Sequence, residues 1–262
     1  MKITKSFFVC TGIAALAFST VLAASSKRHG TDILHFSVRK TMANDGAVTN
    51  AGGRVEASQN KQGNANNQRL DIVMQKLEAN GTYQLQALLD DDASFTQISE
   101  FQADADGNAA LRYRKVGSSN GRGKGLGKGK NALPAALDPI SNIREIMISV
   151  NSTQSVLHAD LTAPDKLQYL VKRNLSTNDI DAILRIHATG SKTQFRLTAA
   201  GLNPTNDYLL ALNGAVAQTN ATDSKGRLVV DSLLVNPGDI LDLHSVALWD
   251  SSSNVVLSTT LP

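Results

Sequence analysis

Between Gly107 and Leu137 the chain carries seven basic side chains, Arg112, Arg114, Lys115, Arg122, Lys124, Lys128 and Lys130, and no acidic one. Guanidinium forks and lysine ammonium groups recognise phosphate, sulfate and carboxylate. Glycines interleaved from Gly117 to Gly129 would let those charges follow an irregular anionic surface such as nucleic acid, acidic polysaccharide or lipid headgroups. No aromatic side chain interleaves with the charges from Gly117 to Pro134 to stack on bases. The competing expectation is a solvated surface loop whose charge opposes aggregation. A nucleotide cradle fails on residue positions. A P-loop ending at Gly127-Lys128 needs glycine where Arg122 stands, and one ending at Gly129-Lys130 needs glycine where Lys124 stands.

Other chemistry is sparse. Asp104 and Asp106, two apart before Gly107, resemble half of a calcium loop, yet the third ligand and distal glutamate are missing, and a tight Asp-Gly turn accounts for them equally. Of His29, His35, His158, His187 and His244, none stands two, three or four residues from another, so no local metal spacing exists. The chain lacks His-Glu-x-x-His, and its single cysteine is Cys10. No catalytic residue, resident metal or cofactor is expected. A polysaccharide hydrolase remains the alternative, with carboxylates assembled from distant strands.

Internal similarity indicates what would position these side chains. "LHFSVRKTMAND" from Leu34 is answered by "LQYLVKRNLSTND" from Leu167, with Phe36 in step with Tyr169 and Val38 with Val171. "GRVEAS" from Gly53 is matched to "LRIHAT" from Leu184, which sets Glu56 against His187. Leu77 and Tyr83 answer Leu202 and Tyr208, Gly107 answers Gly226, and "VLHADLTAP" from Val156 answers "VLSTTLP" from Val256. Ordered matches of this kind predict a tandem duplication. Each block alternates apolar and polar residues, as in Leu34, Phe36 and Val38 or Leu70, Ile72 and Met74, the period of a strand with one wet face. The one helical candidate is Ser176 to Leu184, from its acidic start.

The expected fold is therefore all-β: two tandem antiparallel β-sandwich repeats, 34–164 and 165–262, after a cleaved signal peptide (1–23) and an N-terminal tail (24–33). The leucine, turn and tyrosine at Leu77–Tyr83 and Leu202–Tyr208 resemble the tyrosine corner of immunoglobulin-like and fibronectin type III sandwiches, here as secreted bacterial-type repeats. That resemblance implies the sandwich alone, with no activity attached. The connection from Gly107 to Pro139 spans 32 positions and its counterpart from Gly226 to Pro237 spans 11, leaving a 21-residue insertion at about 116–136 that contains the basic run.

Lys2 and Lys5 precede an apolar run from Phe7 to Leu22 with small residues at Ala23 and Ala24, the pattern of a secretory leader. Without those two lysines the chain holds 24 basic against 23 acidic side chains, so no chain-wide attraction to nucleic acid is implied. A secreted, periplasmic or cell-envelope location follows, with no transmembrane span in the mature chain and no disulfide. The expected role is non-catalytic, namely structural, adhesive or ligand-binding. An acidic polymer or envelope surface is the partner class the basic run suggests.

Overall fold

The alternation of Leu34, Phe36 and Val38 with His35, Ser37 and Arg39 becomes strand β1 (Ile33–Asn44), its apolar set buried and its polar set facing water. The computed structural model describes residues 31–90, 92–117, 131–151, 153–177, 179–189, 192–231 and 240–261. The expected signal peptide lies outside the described residues, as do Arg122, Lys124, Lys128 and Lys130 of the basic run.

Strand β1 pairs antiparallel with β2 (Gly52–Gln62), which pairs with β3 (Ala65–Gln75). The chain then moves to a second row of strands, β4 (Thr82–Leu89) and β5 (Thr96–Gln102), and returns to β3 through β6 (Ala109–Lys115). A two-residue strand, β7 (Asn131–Ala132), runs parallel to β6, and two short 3-10 turns follow. Strand β8 (Ile143–Val150) pairs with β4, and β9 (Gln154–Asp160) with β8. The end of β1 crosses over to pair with β9 at Ala43 and Asn44, which joins the two rows into one curled sheet.

From β10 onward the same pairing order returns. β10 (Lys166–Ser176), β11 (Asp181–Thr189), β12 (Lys192–Ala200) and β15 (Leu228–Asp231) lie side by side as β1, β2, β3 and β6 do. β14 (Ala215–Ala221), β13 (Asp207–Leu212), β16 (Ser245–Asp250) and β17 (Val255–Thr260) form a four-stranded sheet ordered as β5, β4, β8 and β9 are. Irregularities recur at matching places: β4–β5 shifts register after Leu85 and β13–β14 after Leu210, β8–β9 after Ile148 and β16–β17 after Leu248. The protein is all-β, and β1 also pairs antiparallel with β10, so the two first strands fuse their sheets edge to edge. Among the described residues no helix is long and apolar enough to cross a membrane.

Two expectations are corrected. The segment proposed as helical instead ends β10 and begins β11, because Ala182, Leu184 and Ile186 alternate into the core. The matching of β2 with β11 also shifts by two residues. Val38 faces Ala57 and Val171 faces Ile186, so Ala57 takes the place of Ile186, and Glu56 corresponds to Arg185 rather than His187. A slip of two leaves every side chain on its original face, which is why the alternation could not fix it.

The corners are alike in both halves. The Glu78 amide donates to Tyr83 Oη at 2.8 Å, and the Asn203 amide donates to Tyr208 Oη at 3.1 Å. The Leu77 amide donates to the Gly107 carbonyl at 2.9 Å, and Leu202 to Gly226 at 3.1 Å. Both glycines adopt positive φ, at 73° and 69°, so a side chain there would be strained. The buried faces of both halves belong to one apolar cluster, which runs from Leu34 and Ile72 through Tyr83 and Ile148 to Leu184, Phe195 and Leu248.

Candidate polyanion-binding face

The wet face of β1, β2, β3 and β6 gathers charges that lie far apart in sequence. Odd positions of β1, even positions of β2 and β6, and odd positions of β3 point away from the core, because their neighbours Val38, Val55, Ile72 and Leu111 are buried. Cross-strand register then sets Arg39 opposite Glu56, Glu56 opposite Asp71, and Asp71 opposite Arg112. Arg54, Arg69 and Arg114 flank this row, and Arg54, Glu56, Arg69, Asp71, Arg112 and Arg114 line an open depression of about 460 Å³. A second depression continues past Arg39 to Lys166 and Asp165.

Asp71 is the fixed point of the cluster. Arg114 grips it with two hydrogen bonds, Nη1 to Oδ1 at 2.5 Å and Nη2 to Oδ2 at 3.0 Å, while Arg69 Nε donates to Oδ2 at 2.7 Å. Arg114 also donates to the Tyr113 carbonyl at 2.7 Å, so its planar group is fully oriented. Burial alone would raise the Asp71 pKa. The hydrogen bonds from Arg114 and then Arg69, together with their charges, outweigh it and hold the carboxyl below the usual carboxylate range. Glu56 meets three guanidinium groups, Arg54 at 3.2 Å, Arg39 at 3.4 Å and Arg69 at 4.0 Å, in half-exposed surroundings. Four arginines thus share two carboxylates. No ion pair forms on Arg112 among the described residues, and it points to solvent.

The structure divides the basic residues singled out in the sequence. Arg112 and Arg114 stand in the depression. Lys115 does not: as the next residue on β6 it points the other way and bonds the Asp138 carboxylate. That bond, more than opposing burial, and the 2.5 Å bond from Gln68 Nε2 lower the Asp138 pKa. At the described ends of the insertion, the Gly117 amide donates to Asn67 Oδ1 at 3.1 Å and Asn131 pairs beside Tyr113. Its described ends therefore lie at the rim of the depression. Arg39, Arg54 and Arg69 escaped sequence reasoning, since no run of charge marks them. The one signal available was an arginine at wet-face positions of successive strands.

Asp104 and Asp106 serve a turn. Asp104 Oδ1 accepts the amides of Asp106 at 3.0 Å and Asn108 at 2.7 Å, and Asp223 Oδ1 accepts those of Lys225 and Arg227 at 2.8 and 2.9 Å. Among the described residues no three histidine, cysteine or acidic side chains stand together as a metal cage. His158 Nε2 contacts Glu145 Oε2 at 2.8 Å, and His187 Nε2 contacts Thr189 Oγ1 at 3.1 Å, each at a strand surface.

The chain matches no protein-family model, and comparison with curated proteins and with solved structures likewise returned no match.

Proposed function

We propose that this protein is a non-catalytic binding module that holds acidic polymers on the wet face of β1, β2, β3 and β6, and that it works outside the cytoplasm. The observation that carries this reading is the excess of guanidinium groups over carboxylates on that face, with Arg112 pointing to solvent. Glu56 and Asp71 stiffen the array: they hold Arg54, Arg69 and Arg114 in place while leaving part of each fork to a ligand. The basic insertion, anchored at the rim, adds charge of the same sign by its sequence. The leader-like first residues supply the argument for export. The matched strand orders and bulges support an origin by duplication of one sandwich unit, and the paired tyrosine corners are what favours likeness to immunoglobulin and fibronectin type III architecture.

The hydrolase reading has one observation in its favour, the adjacent Glu56 and Asp71 on an open depression. Glycoside hydrolysis needs a carboxyl group kept protonated to serve as acid. Arginine contacts act in the opposite sense on Asp71, where they outweigh burial and lower the pKa. An array of glycans, nucleic acids and peptidoglycan tests the proposal: acidic polymers should be retained and neutral glycans released. Release of reducing ends from any of these glycans, abolished by Glu56→Gln, would establish the hydrolase instead.

A further inference from the structure

On the other half of the same face, register sets Lys172 opposite Arg185 and Arg185 opposite Arg196. These are the places held by Arg39, Glu56 and Asp71 in the first half. The first half alternates its charges there, whereas the second puts three cations on adjacent strands, about 5 Å apart from strand to strand. Like charges directly opposite each other disfavour a sheet. Among the described residues the sole acid in contact is Asp231, with an oxygen 3.9 Å from Arg196 and both side chains more than half exposed. Among the described residues neither Lys172 nor Arg185 has an ion-pair partner. A row of uncompensated cations that weakens its own sheet is the arrangement expected where an external anion completes the charge balance.

We propose that Lys172, Arg185 and Arg196 form a second anion-binding site, and that the ligand of the whole face is an acidic polysaccharide chain long enough to reach both clusters. This rests on the binding reading above and extends it. The two clusters share one continuous sheet on either side of the β1–β10 junction. Arg39 and the Ile33 position that faces Lys172 are six residues apart on β1, which places the rows about 20 Å apart along the strands. A polymer engaging both gains effective concentration at the second site once it is held at the first. Saccharide is favoured over nucleic acid by the lining. The outward positions between the clusters are Ser37, Ser58, Gln168, His35, Asn60 and Leu170, which offer hydrogen bonds to hydroxyl groups and no tyrosine, tryptophan or phenylalanine for base stacking.

Arg185→Glu/Arg196→Asp tests the site, because it installs the charges with which the first half already folds at the same places. Binding of the full chain to long heparin, to a heparin disaccharide, to polygalacturonate and to oligo-dT would be titrated at fixed salt, with melting temperature as the folding control. The double variant should melt like the parent and lose at least tenfold in affinity for both long polysaccharides, while binding the disaccharide within about twofold through the first cluster. Parental affinity for the long chains would remove the second site and leave the first intact, provided Arg39→Ser/Arg54→Ser/Arg112→Ser still weakens binding. Failure of the parent to bind any acidic chain would remove the underlying reading as well. Tighter binding of oligo-dT than of either polysaccharide would overturn the ligand class. If the double variant melts early, Lys172→Ser/Arg185→Ser, which deletes charge without adding any, decides by the same criteria.

Discussion

Phe36 of β1 lies directly opposite Tyr169 of β10, and these two residues also fall in step when the two halves of the sequence are matched. Two strands that pair through corresponding residues are related by a local twofold axis, here through the Phe36–Tyr169 pair. The junction buries both rings, at 3% and 2% exposure, and makes one wet face from two half-sheets.

Tyr169 carries a hydroxyl that finds no partner among the described residues, and burial pushes its pKa well above the usual tyrosine value. A buried, unpaired hydroxyl costs about 1–3 kcal/mol. Tyr169→Phe, which makes the pair resemble Phe36, should therefore hold or raise the melting temperature, by roughly 2–4 °C per kcal/mol for a chain of this size. A calorimetric scan checks it. A clear loss of stability would mean that the hydroxyl is bonded.

The corner tyrosines should behave in the opposite way. Tyr83 and Tyr208 each accept a backbone amide across the turn, at 2.8 and 3.1 Å. Replacing either with Phe removes a part-buried hydrogen bond and should cost about 1 kcal/mol. Urea titration of Tyr83→Phe and Tyr208→Phe beside Tyr169→Phe gives a contrast in sign within one residue type.

Gly107→Ala and Gly226→Ala should be more damaging. A Cβ at Gly107 would sit 2.3 Å from the Leu77 carbonyl oxygen, and at Gly226 2.0 Å from that of Leu202, both on backbone that cannot yield freely. With the positive φ added, we expect a loss of at least ~2 kcal/mol at each site, measured as a shift in urea midpoint. A small effect at one glycine alone would break the correspondence of the two turns.

Asp71 ties pH to stability. Its folded pKa lies below the ordinary 3.8, so as pH falls the unfolded chain takes up the proton first. The contribution is complete above the ordinary pKa and is lost as pH drops from there through the lower folded value. Asp71→Asn should cost about 2 kcal/mol at pH 7, the value of charged hydrogen bonds, and the gap to the parent should close below about pH 4. Because Arg69 is half exposed, most of this belongs to Arg114, whose side chain is 15% exposed.

Strands were legible in the sequence wherever one face was dry, as at Leu34, Phe36 and Val38 or Phe195, Leu197 and Ala199, because burial writes a period of two. Register was not legible. Glu56 could be set against His187 or Arg185 without moving any side chain to the other face, and only the Val38–Ala57 and Val171–Ile186 pairs decide. The arginine face was hidden for a related reason. Arg54 and Arg69 join Arg112 through pairing across 58 positions of chain, and the local charge run that marks Arg112 and Arg114 also takes in Lys115, which the strand turns toward Asp138. Asp179 and Asp181 suggested a helix start, yet the core claimed Ala182 and Leu184 for a strand.

Salt-dependent retention on an acidic polymer tests the central claim most directly. Each cation that contacts the polymer releases counterions, and its removal lowers the slope of log affinity against log salt by about one. Arg39→Ser/Arg54→Ser/Arg112→Ser should melt within about 2 °C of the parent, since these side chains lie toward solvent, while its slope on long heparin falls by roughly three and its affinity at 0.1 M salt by at least tenfold. A parental slope and affinity in this folded variant would contradict the assignment of the face.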